Sequence, residues 1–379
     1  MKILFISHNL SRTGAPLALL QELKYICTNC NDIHPELLLM AGGDLDSEFR
    51  QLCPIHKIWS RDTLFKRLMR RLGVKCFVYP YLKMFCRGQF DEIYVNTIAA
   101  LEIGYRLKLQ LGIPLIGHIH EGEALMHQFK VKPEWIIACD LLLTVSNLAK
   151  KNLVDNYGVP SSRIKLQRPV SYWLDSAIKR GGLQVSNTSN LQREKVIGCF
   201  TNGNWFKATE IIPIIVKLFV DKYPQVNSRF LIVGEMPEEI KYRMEFDIKK
   251  MNLTKSVLFV GKVDNPLEIL SQVNLLMLPS REESFSLVAQ EAGLMEKPIV
   301  GFEGATGAAE WVKENAGILV PYMDLIKMVD AIFKLLENDH LQQLYGKQGR
   351  KIVENMYAVD SQMLTVVSSI RELFSKERL

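Results

Sequence analysis

The sequence predicts an α/β protein built from two doubly wound parallel domains facing across a cleft. Three observations carry this. The chain has 379 residues, more than one hydrophobic core usually organises, so two domains are the default. Its first half alternates short apolar runs with amphipathic stretches, as strand–helix–strand units of a parallel sheet do. The alternation stops at a polar, turn-rich segment, Arg180-Gly-Gly-Leu-Gln-Val-Ser-Asn-Thr-Ser-Asn190, and then starts again.

In the first half, residues 3–7 read as a buried first strand, since Ile3-Leu-Phe-Ile is too short an apolar run for a signal peptide. A helix follows over 16–27, with Pro16 suited to its first turn. Strands are predicted at 36–41, 92–96, 114–118 and 141–146, and helices at 98–111 and 147–157. In the second half, strands are expected at 195–200, 229–233, 257–260 and 317–320. Helices are expected at 210–222, 237–251, 266–272 and 324–337. In open parallel sheets ligands bind beyond the carboxyl ends of the strands, so the loops there are the candidate site.

The composition is that of an ordinary globular protein, 48% apolar and 23% charged. No apolar run reaches the ~18–20 residues needed to cross a bilayer, and a cytoplasmic protein is expected. Seven cysteines are scattered along the chain. Only Cys27-Thr-Asn-Cys30 has the C-x-x-C spacing, without a second pair for zinc, and it closes a helix where a redox pair would open one. Reduced, structural thiols are the expectation.

The net charge of +6 is unevenly placed. Residues 61–87 hold eight Lys or Arg against one acid, Asp62, and Leu64, Phe65, Leu68, Met69 and Leu72 interleave at helical spacing with Lys66, Arg67, Arg70 and Arg71. Such a helix can lie on an anionic membrane surface, or can pack on its own domain with a solvated basic face. No nucleic-acid motif accompanies it, so nucleic acid is not an expected partner.

The most informative stretch runs from Ser280-Arg-Glu-Glu-Ser-Phe-Ser to Lys297-Pro-Ile-Val300, after the apolar run 273–279. It reads as strand, loop, helix, strand, with Glu283 in the loop and Glu291 on the helix. The helix start at Ser284, Phe285 and Ser286 favours an anion, because unpaired N–H groups and the helix dipole converge there. A carboxylate beside an anion site is unfavourable unless it binds something else, and sugar hydroxyls suit it.

Other strand-end loops add candidates. Gly14, in Thr13-Gly-Ala-Pro16, lets backbone approach a ligand closely, although a tight turn alone explains a glycine. Neither G-x-G-x-x-G nor a Walker A loop is present. His118 and His120 lie on one side of an extended chain and, with Glu121, have a spacing open to a metal or to ordinary hydrogen bonding. Gly198-Cys-Phe-Thr-Asn-Gly-Asn-Trp-Phe-Lys207 ends in a cation that would neutralise a diphosphate leaving group, or be a surface lysine. A glycine-rich loop, 301–307, leads to Glu310.

With these residues in place, the chain resembles the glycosyltransferase family 4 enzymes, retaining nucleotide-sugar transferases of glycosyl transferases group 1 with the GT-B fold of two Rossmann-like domains. Glu283-x7-Glu291 is the most specific match; Lys297-Pro298, Glu310 and Ala316–Pro321 continue it, and Val233-Gly234, Phe259–Lys262 and Leu278–Ser280 precede it. The first domain matches more loosely, through Gly14, Asn96-Thr, His120-Glu121 and Val145-Ser146. The resemblance implies an N-terminal acceptor domain over 1–178, a linker over 179–194, a nucleotide-sugar domain over 195–358 and a C-terminal helix (359–379) returning to the first domain. It implies that Glu283 holds donor sugar hydroxyls, that the amides of Ser284, Phe285 and Ser286 cradle the diphosphate, and that Glu291 binds the ribose. Lys207 would neutralise the leaving phosphate, Gly14 would approach it, and His120 would sit near the anomeric carbon. No cofactor or metal is implied beyond the nucleotide diphosphate sugar, and no Asp-x-Asp metal motif is present. The acceptor would be a glycan or lipid-linked, with the 61–87 segment offering peripheral contact with the inner face of the membrane.

The sequence departs from the family in places. An arginine five residues before the lysine is replaced by Asn202, the family's Lys-Gly reads Lys207-Ala208, and Asn-Gly-Val near the linker reads Arg168-Pro169-Val170. One phosphate cation is then either missing or supplied by Lys262 or Arg281. Two other functions stay open: a nucleotide-sugar epimerase of similar fold, which Glu283-x7-Glu291 does not support, and a catalytically weak sugar-nucleotide binder, which the loss at Asn202 does.

Overall fold

The computed structural model describes residues 1–57, 89–171, 173–174 and 194–376. The basic segment 61–87 and the linker 180–190 therefore lie outside the described residues. The chain divides into two compact units, Met1–Pro169 with Val359–Leu379, and Val170–Ala358.

The first unit carries strands β1 (Lys2–Ser7), β2 (His34–Leu39), β3 (Ile55–Lys57), β4 (Glu92–Val95), β5 (Leu115–Ile119), β6 (Leu141–Thr144) and β7 (Ile164–Leu166). They form one sheet in the order β3-β2-β1-β4-β5-β6-β7, and its pairings are all parallel. The central strand β1 is buried over Ile3, Leu4, Phe5 and Ile6, as a strand covered on both faces must be. The strand order reverses between β1 and β4, which makes the loops after those strands the natural ligand position.

The helix Gly14–Asn29 packs its Leu19, Leu20, Leu23 and Ile26 on one face of this sheet. The same cluster takes in Val366, Val367, Ile370 and Leu373 of the terminal helix Val359–Lys376. Arg371 anchors that helix with a bidentate pair to Asp32. The helices Ile98–Leu111 and Asn147–Tyr157 have the bounds the pattern predicts. Each ends at a glycine in the left-handed region, Gly112 and Gly158, the usual helix stop. The short β3 and β7 were not predicted; each has only three residues, too few to show a period.

The second unit repeats the plan with β8 (Lys195–Phe200), β9 (Ser228–Val233), β10 (Val257–Gly261), β11 (Leu275–Leu278), β12 (Ile299–Phe302) and β13 (Gly317–Val320). The order is β10-β9-β8-β11-β12-β13, again reversing beside the first strand, between β8 and β11. Its core gathers Ile197, Phe219, Phe230, Val300, Phe302 and Ile332. The predicted helix at 210–222 begins with a 3-10 turn, Thr209–Ile211, and is α-helical only over Ile212–Lys222.

One long element escaped the sequence reading. The helix Asp339–Met356 packs against the helix Leu287–Leu294. Contact is close enough that a Cβ on Gly293 would fall 2.7 Å from Val353, and one on Gly346 2.0 Å from the Glu296 carbonyl. Side chains at those positions would push the two helices apart.

Candidate functional site

In the second unit the loop after β8 and the loop after β11 meet. Asn204 Oδ1 accepts the N–H of Lys207 at 2.8 Å and caps the single turn Trp205–Lys207. The chain leaves that turn through Ala208, fully buried in the left-handed region at φ 49°, which is where the family pattern has glycine. The turn presents the Lys207 ammonium to Glu283, with which it forms an ion pair; the two side chains are 22% and 11% exposed. Ser280 Oγ donates to the other oxygen of Glu283 at 3.2 Å.

Glu283 is also fixed through its backbone. Its N–H donates to the Ala305 carbonyl at 2.8 Å, and its carbonyl accepts from Gly307 at 2.9 Å. The glycine-rich loop after β12 thus forms a parallel bridge at Thr306 that holds the acid in place. Beyond it, Ser284 and Ser286 are buried, and the Ser286 hydroxyl has no partner among the described residues. Among the described residues the N–H groups of Ser284, Phe285 and Ser286 are not donated to any acceptor. The helix Leu287–Leu294 starts there, so the ammonium from the loop after β8 and a set of free amides on the loop after β11 lie on the two loops that meet at Glu283, a combination suited to an anion.

Glu291 lies on that helix and is buried. Ser171 Oγ donates to its Oε1 at 2.6 Å, while the Ser171 N–H donates to Gln290 Oε1 at 3.0 Å. Burial raises the Glu291 carboxyl to about 7, with the Ser171 bond opposing the shift. Among the described residues its second oxygen has no hydrogen-bond partner. Ser171 carries no pattern that would single it out in the sequence.

The departures from the family pattern can now be placed. Asn202 is exposed. Arg281 is committed elsewhere: its guanidinium pairs with Glu210 at 2.6 Å, bonds the Trp205 carbonyl at 3.0 Å and stacks on the Trp205 ring. Lys262 is 73% exposed with Glu235 no nearer than 3.8 Å. It lines a cavity of about 450 Å³ with Gly234, Met236, Glu238, Phe259 and Gly261, at the ends of β9 and β10. Gly234, at φ 126°, is required there, because a Cβ would meet the Thr201 carbonyl at 2.0 Å.

In the first unit, Gly14 opens its helix and is exposed, with nothing within 4 Å of where a Cβ would be. The fold therefore does not require a glycine at this position. The two histidines, one in β5 and one just past its end, do lie on the same side: their rings are 4.0 Å apart, centroid to centroid. His118 is fully buried and bonded to Tyr94 Oη at 2.8 Å, and Tyr94 donates to Glu22 at 3.1 Å. Burial lowers His118 to about 3 and raises Glu22 to about 7, so their 3.4 Å approach is not an ion pair at neutral pH.

His120 is half-buried, and desolvation, with His118 adding to it, holds its pKa well below the ordinary value. Its Nε2 meets Asn96 Oδ1 at 3.1 Å. Glu121 turns back to accept the N–H groups of His120 at 3.0 Å and Ile98 at 3.3 Å, so it caps the helix Ile98–Leu111 instead of joining the histidines. Among the described residues no group of three or more His, Cys, Asp or Glu is placed to hold a metal ion. The sequence offered one signal for Glu22, an acid on the buried stripe of Leu19, Leu20, Leu23 and Ile26. Tyr94 offered none.

Five cysteines are described, all free thiols. Cys30 caps the C-terminus of the helix holding Cys27, and burial pushes Cys53 and Cys139 up to about 12. No described helix is long and apolar enough to cross a membrane.

Two parallel sheets with reversed strand order, each with its polar side chains gathered at strand ends, place the chain in the GT-B fold class. The solved structure of Anabaena HepE in complex with UDP matches it with a TM-score of 0.78, over 98% of this chain and all of that one, at 19% identity. Residues 196–338 match the family model described as Glycosyl transferases group 1. The resemblance carried by Glu283-x7-Glu291 therefore holds over the second domain. Among curated relatives, the N-acetyl-alpha-D-glucosaminyl L-malate synthase of Bacillus anthracis is 28% identical over 167 residues, 44% of this chain and 42% of that protein. A capsular polysaccharide biosynthesis glycosyltransferase of Staphylococcus aureus is 26% identical over 218 residues, 57% of this chain and 54% of that protein. The chain spans about half the length of these relatives.

Proposed function

We propose that the protein is a retaining glycosyl transferase that moves a sugar from a nucleotide diphosphate sugar to an acceptor hydroxyl, in the synthesis of a cell-surface glycan. The observation that carries this reading is the Lys207–Glu283 pair beside the unpaired amides of Ser284–Ser286. The ammonium and amides suit a diphosphate. The carboxylate, fixed by Ser280 and by two backbone bonds, suits sugar hydroxyls, and Glu291 suits a ribose. The cavity beside Lys262 suits the base. The names of relatives such as the capsular polysaccharide transferase support a glycan acceptor.

On this reading, the bond from the anomeric carbon to the diphosphate oxygen breaks as the acceptor oxygen bonds to that carbon on the same face. The departing phosphate oxygen takes the acceptor proton. Charge grows on the diphosphate as the bond breaks, so Lys207 and the loop amides bind the transition state more tightly than the donor. This needs no metal ion, since the protein supplies the positive field. Roles for Gly14 and His120 rest on the family resemblance, as do a cytoplasmic location and peripheral membrane contact.

Titration with a panel of UDP-, GDP- and dTDP-sugars tests the reading, with binding and sugar release as readouts. Binding and turnover of one donor are expected; neither binding nor turnover with any donor would sink it. One observation favours a second reading. Asn202 is neutral and Arg281, on the loop after β11, is tied to Glu210, so Lys207 from the loop after β8, itself paired with Glu283, is the cation left beside the loop amides among the described residues. A binder with little turnover would show donor binding without sugar release in any acceptor mixture.

A further inference from the structure

The bonding around Asn96 fixes more than a side-chain position. Its Nδ2 lies 3.0 Å from the carbonyl oxygen of Ala15, in the first turn of the helix that begins at Gly14. A carbonyl can only accept, so the NH2 face of the amide must point to Ala15 and Oδ1 must point the other way. That oxygen is 3.1 Å from His120 Nε2 and can also only accept. The proton between them must sit on the ring.

We propose that Asn96 is a positioning residue that locks His120 as its Nε2–H tautomer, leaving Nδ1 as a lone-pair acceptor for a substrate hydroxyl. Among the described residues Nδ1 has no hydrogen-bond partner. The ring has little freedom to escape the lock. The His118 ring packs at 4.0 Å, itself held by Tyr94 and Glu22, and Glu121 holds the His120 N–H. The charged or titratable groups around it are His118, Glu22, His8 and Glu121, and the low basicity of His120 keeps the ring neutral near pH 7, where a tautomer is defined. Through Asn96, the first turn of the helix Gly14–Asn29 and the loops after β4 and β5 are joined: Ala15, Asn96 and His120 form one hydrogen-bonded chain. Only the hydroxyl ligand rests on the transferase reading; the tautomer does not.

The test uses the ligand-free, full-length chain labelled with ¹⁵N-histidine. Two-bond proton–nitrogen correlations report which ring nitrogen is protonated, and His120→Gln identifies the His120 signals among the seven histidines. His120 should be Nε2–H in the wild type. Asn96→Ala should release it to the other tautomer or a mixture, while Asn96→Asp, which keeps the acceptor, should retain Nε2–H when measured on the alkaline side of the ring's titration. An Nδ1–H wild-type ring, or an unchanged ring in Asn96→Ala, would overturn the proposal. The wild-type spectrum decides even if Asn96→Ala does not fold. With a donor that turns over, Asn96→Ala should lower kcat by about tenfold or more with KM little changed, and Asn96→Asp should recover kcat only on the alkaline side of the ring's titration, where Nδ1 is again an acceptor. Equal kcat in all three proteins would also overturn it. Failure to find any donor would count against the transferase reading and leave the spectroscopic result standing.

Discussion

Ser171 Oγ lies 2.6 Å from Glu291 Oε1, so a hydroxyl already occupies one oxygen of the acid proposed to bind ribose. Ser171 is itself held by Gln290 and by the Trp173 N–H. A hydrogen bond to the carboxylate contributes about 1.5–3 kcal/mol above its titration at about 7, and one to the neutral acid about 0.5–1.5 kcal/mol below it. Ser171→Ala should therefore lower the urea stability of the protein by about 1–3 kcal/mol. A change within error would show that the bond is idle.

Glu291 also gives a pH signature. Its carboxyl titrates at about 7 in the fold, against an ordinary value of 4.5. Between those values the folded state binds more protons than the unfolded one, so this group's contribution is fully present below pH 4.5 and is lost as pH rises through 7. The gap corresponds to on the order of 3 kcal/mol. Relative to wild type, Glu291→Gln should gain stability as pH rises over that window. Parallel pH–stability curves for the two proteins would exclude the linkage.

Lys207 and Glu283 should separate in kinetics. Lys207→Ala removes charge stabilisation that grows in the transition state, and should cut kcat by about 10²–10³-fold with a smaller effect on KM. Glu283→Ala should abolish sugar transfer while leaving binding of the free nucleotide diphosphate within a few-fold. If both variants turn over at the wild-type rate, the site assignment is wrong.

Gly14 separates fold from ligand. Open space surrounds its missing Cβ, and it opens a helix, where alanine is the better former by up to about 1 kcal/mol. Gly14→Ala should melt at or slightly above the wild-type temperature, yet bind the donor more weakly. Unchanged donor affinity would return Gly14 to the role of a simple turn residue.

Ala208 is the most direct test of a departure from the family pattern. Its left-handed backbone costs about 1–2 kcal/mol, whereas glycine there would lose a buried methyl worth about 0.8 kcal/mol and add about 0.5–1 kcal/mol of chain entropy. These nearly cancel. Ala208→Gly should shift stability by less than about 0.5 kcal/mol, as read by denaturant midpoint; a larger shift would mean the turn at Lys207 is strained in another way.

Most elements were legible because their periodicity is local. The strand Lys195–Phe200 and the helices Ile98–Leu111 and Asn147–Tyr157 have the predicted bounds. The helix Asp339–Met356 was missed because its buried face rests on Gly346 and Gly349 as well as Ile352 and Val353, and glycine adds nothing to an apolar stripe.

The sequence by itself determined the two parallel sheets and the Glu283-x7-Glu291 pattern, since strand–helix alternation and motif spacing are properties of neighbouring residues. It could not assign partners. That Lys207 pairs with Glu283, that Arg281 turns to Glu210, and that Asn96 bridges Ala15 and His120 are contacts across 24 to 81 positions of chain. Such contacts exist only after strands that are remote in sequence lie side by side, because a hydrogen bond acts over about 3 Å. Tertiary structure alone therefore decided which candidate cation remains at the anion loop and which histidine nitrogen is left free.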